Sequence, residues 1–180
     1  MKKFATIALT LAMAASAACA SATTVGICQL VQHEALDAAT QGFKDALTEK
    51  MPDVKFDEQN AAGDAATCVT ITSKFAADGV DLILANATAP LQAAVSATGD
   101  IPILGTSVTD YATALGMKEW NGTTGINVSG TSDLAPLDGQ AAIIKELFPD
   151  AKNIGLVYCS AEANSVYQIT VIKGYLEEMG

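Results

Sequence analysis

The chain has 180 residues, 50% of them hydrophobic, and carries ten Lys and Arg against twenty Asp and Glu, a net charge of −10 at pH 7. An acidic surface repels phosphate, which argues against nucleic acid as a partner. A single His and no C-x-x-C pair leave no usual ligand set for a metal.

The amino terminus, "MKKFATIALTLAMAASAACASA", has a charged start, an apolar stretch of roughly a dozen residues and a small-residue exit, which is the pattern of a secretory leader. Two processing chemistries are open. Ala18-Cys19-Ala20 and Ala20-Ser21-Ala22 suit ordinary signal peptidase, whereas Ser16-Ala17-Ala18-Cys19 resembles a bacterial lipobox lacking its leucine, which would lipidate Cys19. Either route exports the protein, to the periplasm or to a tether on the outer face of the cell membrane. A lipid on Cys19 would be its one membrane contact, since no other apolar run is long enough to span a bilayer. Losing Lys2 and Lys3 with the leader makes the remainder two charges more negative. The other cysteines, Cys28, Cys68 and Cys159, read as buried small residues, with a disulfide as the alternative.

Beyond the leader, strand and helix alternate. Val25 to Leu30 reads as a strand, and Ala35 to Glu49 as a helix with Leu36, Ala39, Phe43 and Leu47 on one face. Val54 to Glu58 is the second strand, and Ala65 to Ala77 a helix carrying Val69, Thr72 and Phe75 inward. Val80 to Ala85, a helix from Pro90 to Thr98, and Ile101 to Gly105 follow. Strict alternation predicts an α/β, doubly wound parallel sheet. A looser stretch, "TDYATALGMKEWNG", leads to a short strand in "TTGINVSG" and a polar crossing, with a hinge near Ser129 to Ser132. Leu134 to Phe148 then reads as a helix, Ile154 to Tyr158 as a strand, and Ser165 to Glu178 as a helix with Val166, Ile169, Ile172, Leu176 and Met179 on one face. The expected organisation is a leader over 1–22, a first lobe over 23–128, and a hinge crossing with an incomplete second lobe over 129–180. One strand cannot form a parallel sheet, so the second lobe is expected to be unfinished and the chain an amino-terminal fragment.

In an open parallel sheet, ligands lie beyond the carboxyl ends of the strands. Four polar segments occupy those positions: "QLVQHEALD", "ANATAP", "GTSVTDY" and "YCSAEANS". In "LILANATAPLQAAV", Asn86 to Ala89 is a strand-to-helix turn, with Thr88 as the expected cap and Pro90 in the first helical turn. Its free backbone N–H groups favour an anionic group. None of the four segments contains Lys or Arg, which suits a zwitterion better than a phosphate. The enzyme signals are missing: "HEALD" lacks the second histidine of a zinc hydrolase, and no G-x-S-x-G, P-loop or G-x-G-x-x-G occurs. A nucleophile–base pair would have to be built from Cys28 and His33.

The runs "VGICQLVQHEALDAATQGFKDAL", "ANATAPLQAA", "IPILGTSVTD" and "IGLVYCSAEANS" resemble, in this order, the type I periplasmic-binding fold. Within it, they resemble the substrate-binding proteins of ABC importers, a group that includes tryptophan and tyrosine binders. The resemblance implies a two-lobed, non-enzymatic protein without cofactor or metal. It would close on a small molecule and hand it to an ABC permease and its ATPase. Carried over residue by residue, the first lobe would bind ligand through Gln29, Gln32, His33, Thr88, Gln92, Ser107, Thr109 and Asp110, and the second through Glu162, Asn164 and Ser165. The Thr88 turn and Ser107 can donate to a ligand carboxylate, and Asp110 or Glu162 can accept from an ammonium. Each has a plainer role open to it: His33 as the cap of the following helix, Asp110 as a turn residue, Glu162 as a helix-terminal charge and Asn164 as a cap. The expected ligand is an apolar or aromatic amino acid; a sugar or nucleoside, or a sensory role for the same fold, is the alternative.

Overall fold

The computed structural model describes residues 22–180; Cys19 and the processing patterns before it lie outside the described residues. Five parallel strands form one sheet: β1 (Thr24–Gln29), β2 (Lys55–Asn60), β3 (Leu82–Asn86), β4 (Ile103–Val108) and β5 (Val128–Ser132), in the order β2-β1-β3-β4-β5. The order reverses between β1 and β3, which opens a crevice at their carboxyl ends. The connecting helices are α1 (Glu34–Lys50), α2 (Ala65–Asp78), α3 (Thr88–Ala97) and the short α4 (Tyr111–Ala114), followed by α5 (Leu137–Leu147) and α6 (Ala163–Glu178).

The sheet is covered on both faces because its central strands are apolar on both. Val25, Ile27 and Leu84 pack with Phe43 and Leu47 of α1. On the other face Cys28, Ile83, Ala85 and Ile103 pack with Cys68 and Phe75 of α2 and with Leu91 and Ala94 of α3. Helix boundaries follow local chemistry. The Asp64 carboxylate accepts the Thr67 N–H at the start of α2, and Gly79 ends that helix in the left-handed region at φ 66°. Gly26 is required where β1 passes under α2, because a Cβ there would lie 2.6 Å from the Phe75 ring.

Four local expectations are corrected. Ser129 to Ser132, expected as a polar crossing, is most of β5, paired with β4. The Tyr111 hydroxyl, donating to Gly105 O (3.0 Å) and Thr131 O (3.3 Å), spans the two strands, and the chain leaves the sheet only at Asp133. Burial pushes the Tyr111 phenol up to about 12, with Asp133 adding to the shift. Second, Ile154 to Tyr158 forms no strand, and Val157 is 99% exposed. Apolar, β-leaning residues make a strand only with a neighbouring ladder, and none lies beside this segment among the described residues. Third, α5 starts at Leu137, not Leu134, because Pro136 occupies its N-cap position. Fourth, Thr88 is the first residue of α3 and Ala87 its cap.

Two carboxylates outside the crevice contribute to the acid stability of this unit. Asp57 is held below its ordinary value by hydrogen bonds from Gln59 and Lys74, and Asp64 by those from Thr67. Because both folded values are depressed, their contribution is fully present above the ordinary carboxylate value, near 3.9, and is lost as pH falls through the folded values. Melting curves recorded from pH 5 downward should fall more gently for Asp57→Asn/Asp64→Asn than for the unsubstituted chain. Parallel curves would contradict this assignment.

Candidate functional site

A cavity of 310 Å³ sits at the reversal point of the sheet, at the lower end of the size range for small-molecule pockets. Its floor comes from segments that follow β1, β2 and β3 and from the end of β4: Leu30, Gly63, Ala87 and Ser107. The facing wall is the start of α6, with Cys159 and Ala161 just before it.

Of the residues expected at the site, the structure brings Thr88, Gln92, Ser107, Glu162 and Asn164 to this cavity. Two helix starts open onto it uncapped, since neither α3 nor α6 has a side-chain cap hydrogen bond, whereas α1, α2 and α4 are capped by His33, Asp64 and Asp110. Their first-turn N–H groups and the positive ends of two helix dipoles therefore face the same space. Glu162 is the only carboxylate in the lining. The Thr88 and Ser107 hydroxyls have no intramolecular partner among the described residues, and Gln92 uses its amide N–H on Ala114 O (3.0 Å). The backbone is strained here: Ala87 sits at φ 106° and Ser107 at φ 55°, a conformation that costs a non-glycine residue about 1–3 kcal/mol and concentrates at ligand sites.

The other expected residues are placed elsewhere. His33 is exposed, and its Nδ1 accepts the Ala35 N–H at 3.2 Å, so it caps α1. Asp110 Oδ1 accepts the Thr113 N–H at 2.7 Å and caps α4. Gln29 is buried: it donates to Asp37 Oδ1 (2.6 Å) and Val31 O (3.0 Å) and accepts from Thr40 Oγ1 (2.7 Å). Asn86 joins the same network by donating to Leu36 O (2.8 Å) and Thr40 Oγ1 (2.9 Å). That network ties α1 to β1 and β3, so the side chain of the polar turn serves the scaffold while its backbone serves the cavity. Gln32 lies with Gln29 on a separate polar cavity of 390 Å³ beside β2. Thr109 is buried, its carbonyl held by Ser132 Oγ (2.8 Å), and Ser165 Oγ accepts the Cys159 N–H (2.9 Å). Sequence reading missed Leu30, Gly63, Ala65, Ala87, Ala89, Cys159, Ala161 and Ala163; apart from Leu30, their one signal is small size near a helix start, where bulk would close the cavity.

A larger cavity, 760 Å³, lies between the unpaired segment 151–156 and α6. It is a gap beside a strand-like segment without a ladder partner among the described residues, with Lys152, Asn153, Lys173 and Glu177 in its lining. No helix among the described residues is long and apolar enough to cross a membrane.

A doubly wound parallel sheet with helix N-termini and one carboxylate around a cavity at its reversal point has the geometry expected of a small-molecule site. The single histidine caps α1 and does not line the cavity. The model of the family "ABC transporter substrate binding protein" matches residues 24–180, and the chain belongs to that family. Members of the family are extracytoplasmic binding proteins of ABC transporters, not enzymes. The chain is 43% identical over 158 residues to a tyrosine-binding protein of Clostridioides difficile, covering 86% of this chain and 46% of the relative. An ABC domain from Streptococcus pneumonia, solved in complex with L-Trp, is 36% identical with a TM-score of 0.81, covering 89% of this chain and 55% of the other. A ligand-free, open substrate binding protein with adhesive properties from Clostridium difficile is 42% identical with a TM-score of 0.67, covering 87% and 54%. The chain thus spans about half the length of the relatives it matches.

Proposed function

We propose that this chain forms the ligand-gripping part of an extracytoplasmic binding protein that supplies an ABC importer with a free α-amino acid bearing an apolar or aromatic side chain. One observation carries the reading: a single cavity combines uncapped N–H groups of α3 and α6, which suit a carboxylate, with one carboxylate, Glu162, which suits an ammonium. The alanines around it, Ala65, Ala87, Ala89 and Ala161, leave room for a bulky side chain and offer it apolar contact. The tyrosine and tryptophan named for the relatives support the same class. The better fit of the L-Trp complex than of the open, ligand-free structure, despite its lower identity, supports reading the cavity as ligand space.

In this reading residues 23–132 make the first lobe, and α5 and α6 belong to the second. The ligand bridges the two, and an ABC permease with its ATPase receives it. The leader exports the protein, soluble or anchored through Cys19. A thermal-shift panel on the intact protein tests the ligand class. Tyrosine, tryptophan, phenylalanine and leucine are the amino-acid arm, with hexoses and nucleosides as the alternatives. Ligand at 100 times Kd adds about 2.7 kcal/mol of stability, so a shift of several degrees is expected from the aromatic amino acids. A shift from sugars or nucleosides alone would overturn the proposal.

A further inference from the structure

Cys28 and Cys68 play no part in the cavity, yet the fold brings them together. Cys28 is on the face of β1 turned toward α2, two residues beyond Gly26, and Cys68 is on the inner face of α2, two helical turns before Phe75, which covers Gly26. Both side chains are 0% exposed, both belong to the same core cluster, and both are free thiols in this structure. The hydrogen bond with Cys68, followed by burial, pushes the Cys28 thiol up, and the same bond lowers Cys68. Cys159, the third cysteine of the described residues, is exposed at the cavity, so the two core sulfurs have no competing partner nearby.

We propose that Cys28 and Cys68 are joined as a disulfide in the exported protein, stapling β1 to α2 beneath the binding cavity. The proposal rests on export, because disulfides persist in oxidising compartments and not in the cytosol. The bond forms before the core closes, since neither sulfur is accessible once α2 is seated. One cysteine thiolate attacks the disulfide of an oxidised dithiol oxidoreductase, giving a mixed disulfide and releasing one oxidoreductase thiolate. The second cysteine, deprotonated, attacks the first, forming Cys28–Cys68 and releasing the other oxidoreductase thiolate. Two thiols of this chain are oxidised, one disulfide of the oxidant is reduced, and the protons go to solvent. The closed loop of roughly 40 residues is long enough for the bond to restrict the unfolded chain substantially.

The test is on protein exported by its own leader, quenched in acid and alkylated with iodoacetamide in denaturant without reductant. Expected are a mass two hydrogen atoms below the all-thiol value, alkylation of Cys159 but not of Cys28 or Cys68, and a joined pair of peptides that separates on reduction. Alkylation of Cys28 and Cys68 without reductant, or a peptide linking either to Cys159, would overturn it. A second measurement does not depend on mapping. Dithiothreitol should lower the melting temperature by on the order of 10 °C. That drop should vanish in Cys28→Ala/Cys68→Ala, which keeps small apolar side chains in the core. The same drop in both proteins, or none in either, would also count against the bond.

Discussion

Replacing Glu162 with Gln is expected to weaken binding of an aromatic α-amino acid by roughly 30- to 150-fold in titration calorimetry on the intact protein. The change keeps the shape of the side chain and removes its charge, so the ligand ammonium would be enclosed against a neutral amide. Leaving a buried charged partner unpaired costs about 2–3 kcal/mol, which is the origin of the predicted factor. The effect should be specific to the ammonium. The desamino analogue, which keeps carboxylate and ring, should bind both forms with similar affinity, because in the proposed site its anchor would be the backbone of α3 and α6. Asp110→Asn is the matched control. It touches the other acidic residue expected from sequence to face the ligand, but its carboxylate is committed to the Thr113 N–H. It should leave Kd unchanged and cost little stability, because an asparagine side-chain oxygen caps a helix about as well as a carboxylate. If Asp110→Asn weakened binding more than Glu162→Gln, the assignment of the ammonium site would be wrong.

The largest stability effect is expected at the contact between Gly26 and Phe75. Phe75 is fully buried, and an alanine Cβ at position 26 would stand 2.6 Å from two of its ring atoms. Neither side can yield cheaply, since β1 is paired on both edges, with β2 and β3, and the ring is held in the core by α2 and α3. Gly26→Ala should therefore cost about 3 kcal/mol in urea unfolding, at the upper end of overpacking effects. Phe75→Ala should cost about 3–5 kcal/mol by opening a cavity. The double variant Gly26→Ala/Phe75→Leu should be distinctly more stable than the sum of its single changes, because the smaller side chain makes room for the added methyl. Additive losses would show that the two positions do not touch.

Much of the parallel sheet and its helices was legible in the sequence. The run from Val80 into "ANATAP" announced a buried strand, a turn and a helix with Pro90 in its first turn, and β3 and α3 are found there. The alternation of such units predicted the parallel sheet, because burial on both faces of a strand and one face of a helix leaves a repeat visible within a dozen residues. The candidate site was only half legible. Thr88, Gln92, Ser107, Glu162 and Asn164 were expected and converge; Gln29, Gln32, His33, Thr109, Asp110 and Ser165 were expected and do not line the cavity.

The division has a physical cause. Amino-acid order by itself determined the class of each segment, since hydrophobic period, helix breakers and turn formers act over neighbouring residues. Only the tertiary structure decided how each polar side chain is used. Asp110 and Glu162 both stand at helix starts with the same charge, but one accepts its own helix N–H and the other does not. Ser129 to Ser132 looked like a crossing because it is short and polar, yet β4 and Tyr111 hold it as a strand. Ile154 to Tyr158 has the composition of a strand and lacks the neighbour that would make it one. Ladder pairing and the choice of hydrogen-bond partner depend on groups distant in the chain, and those are specified only once the sheet has formed.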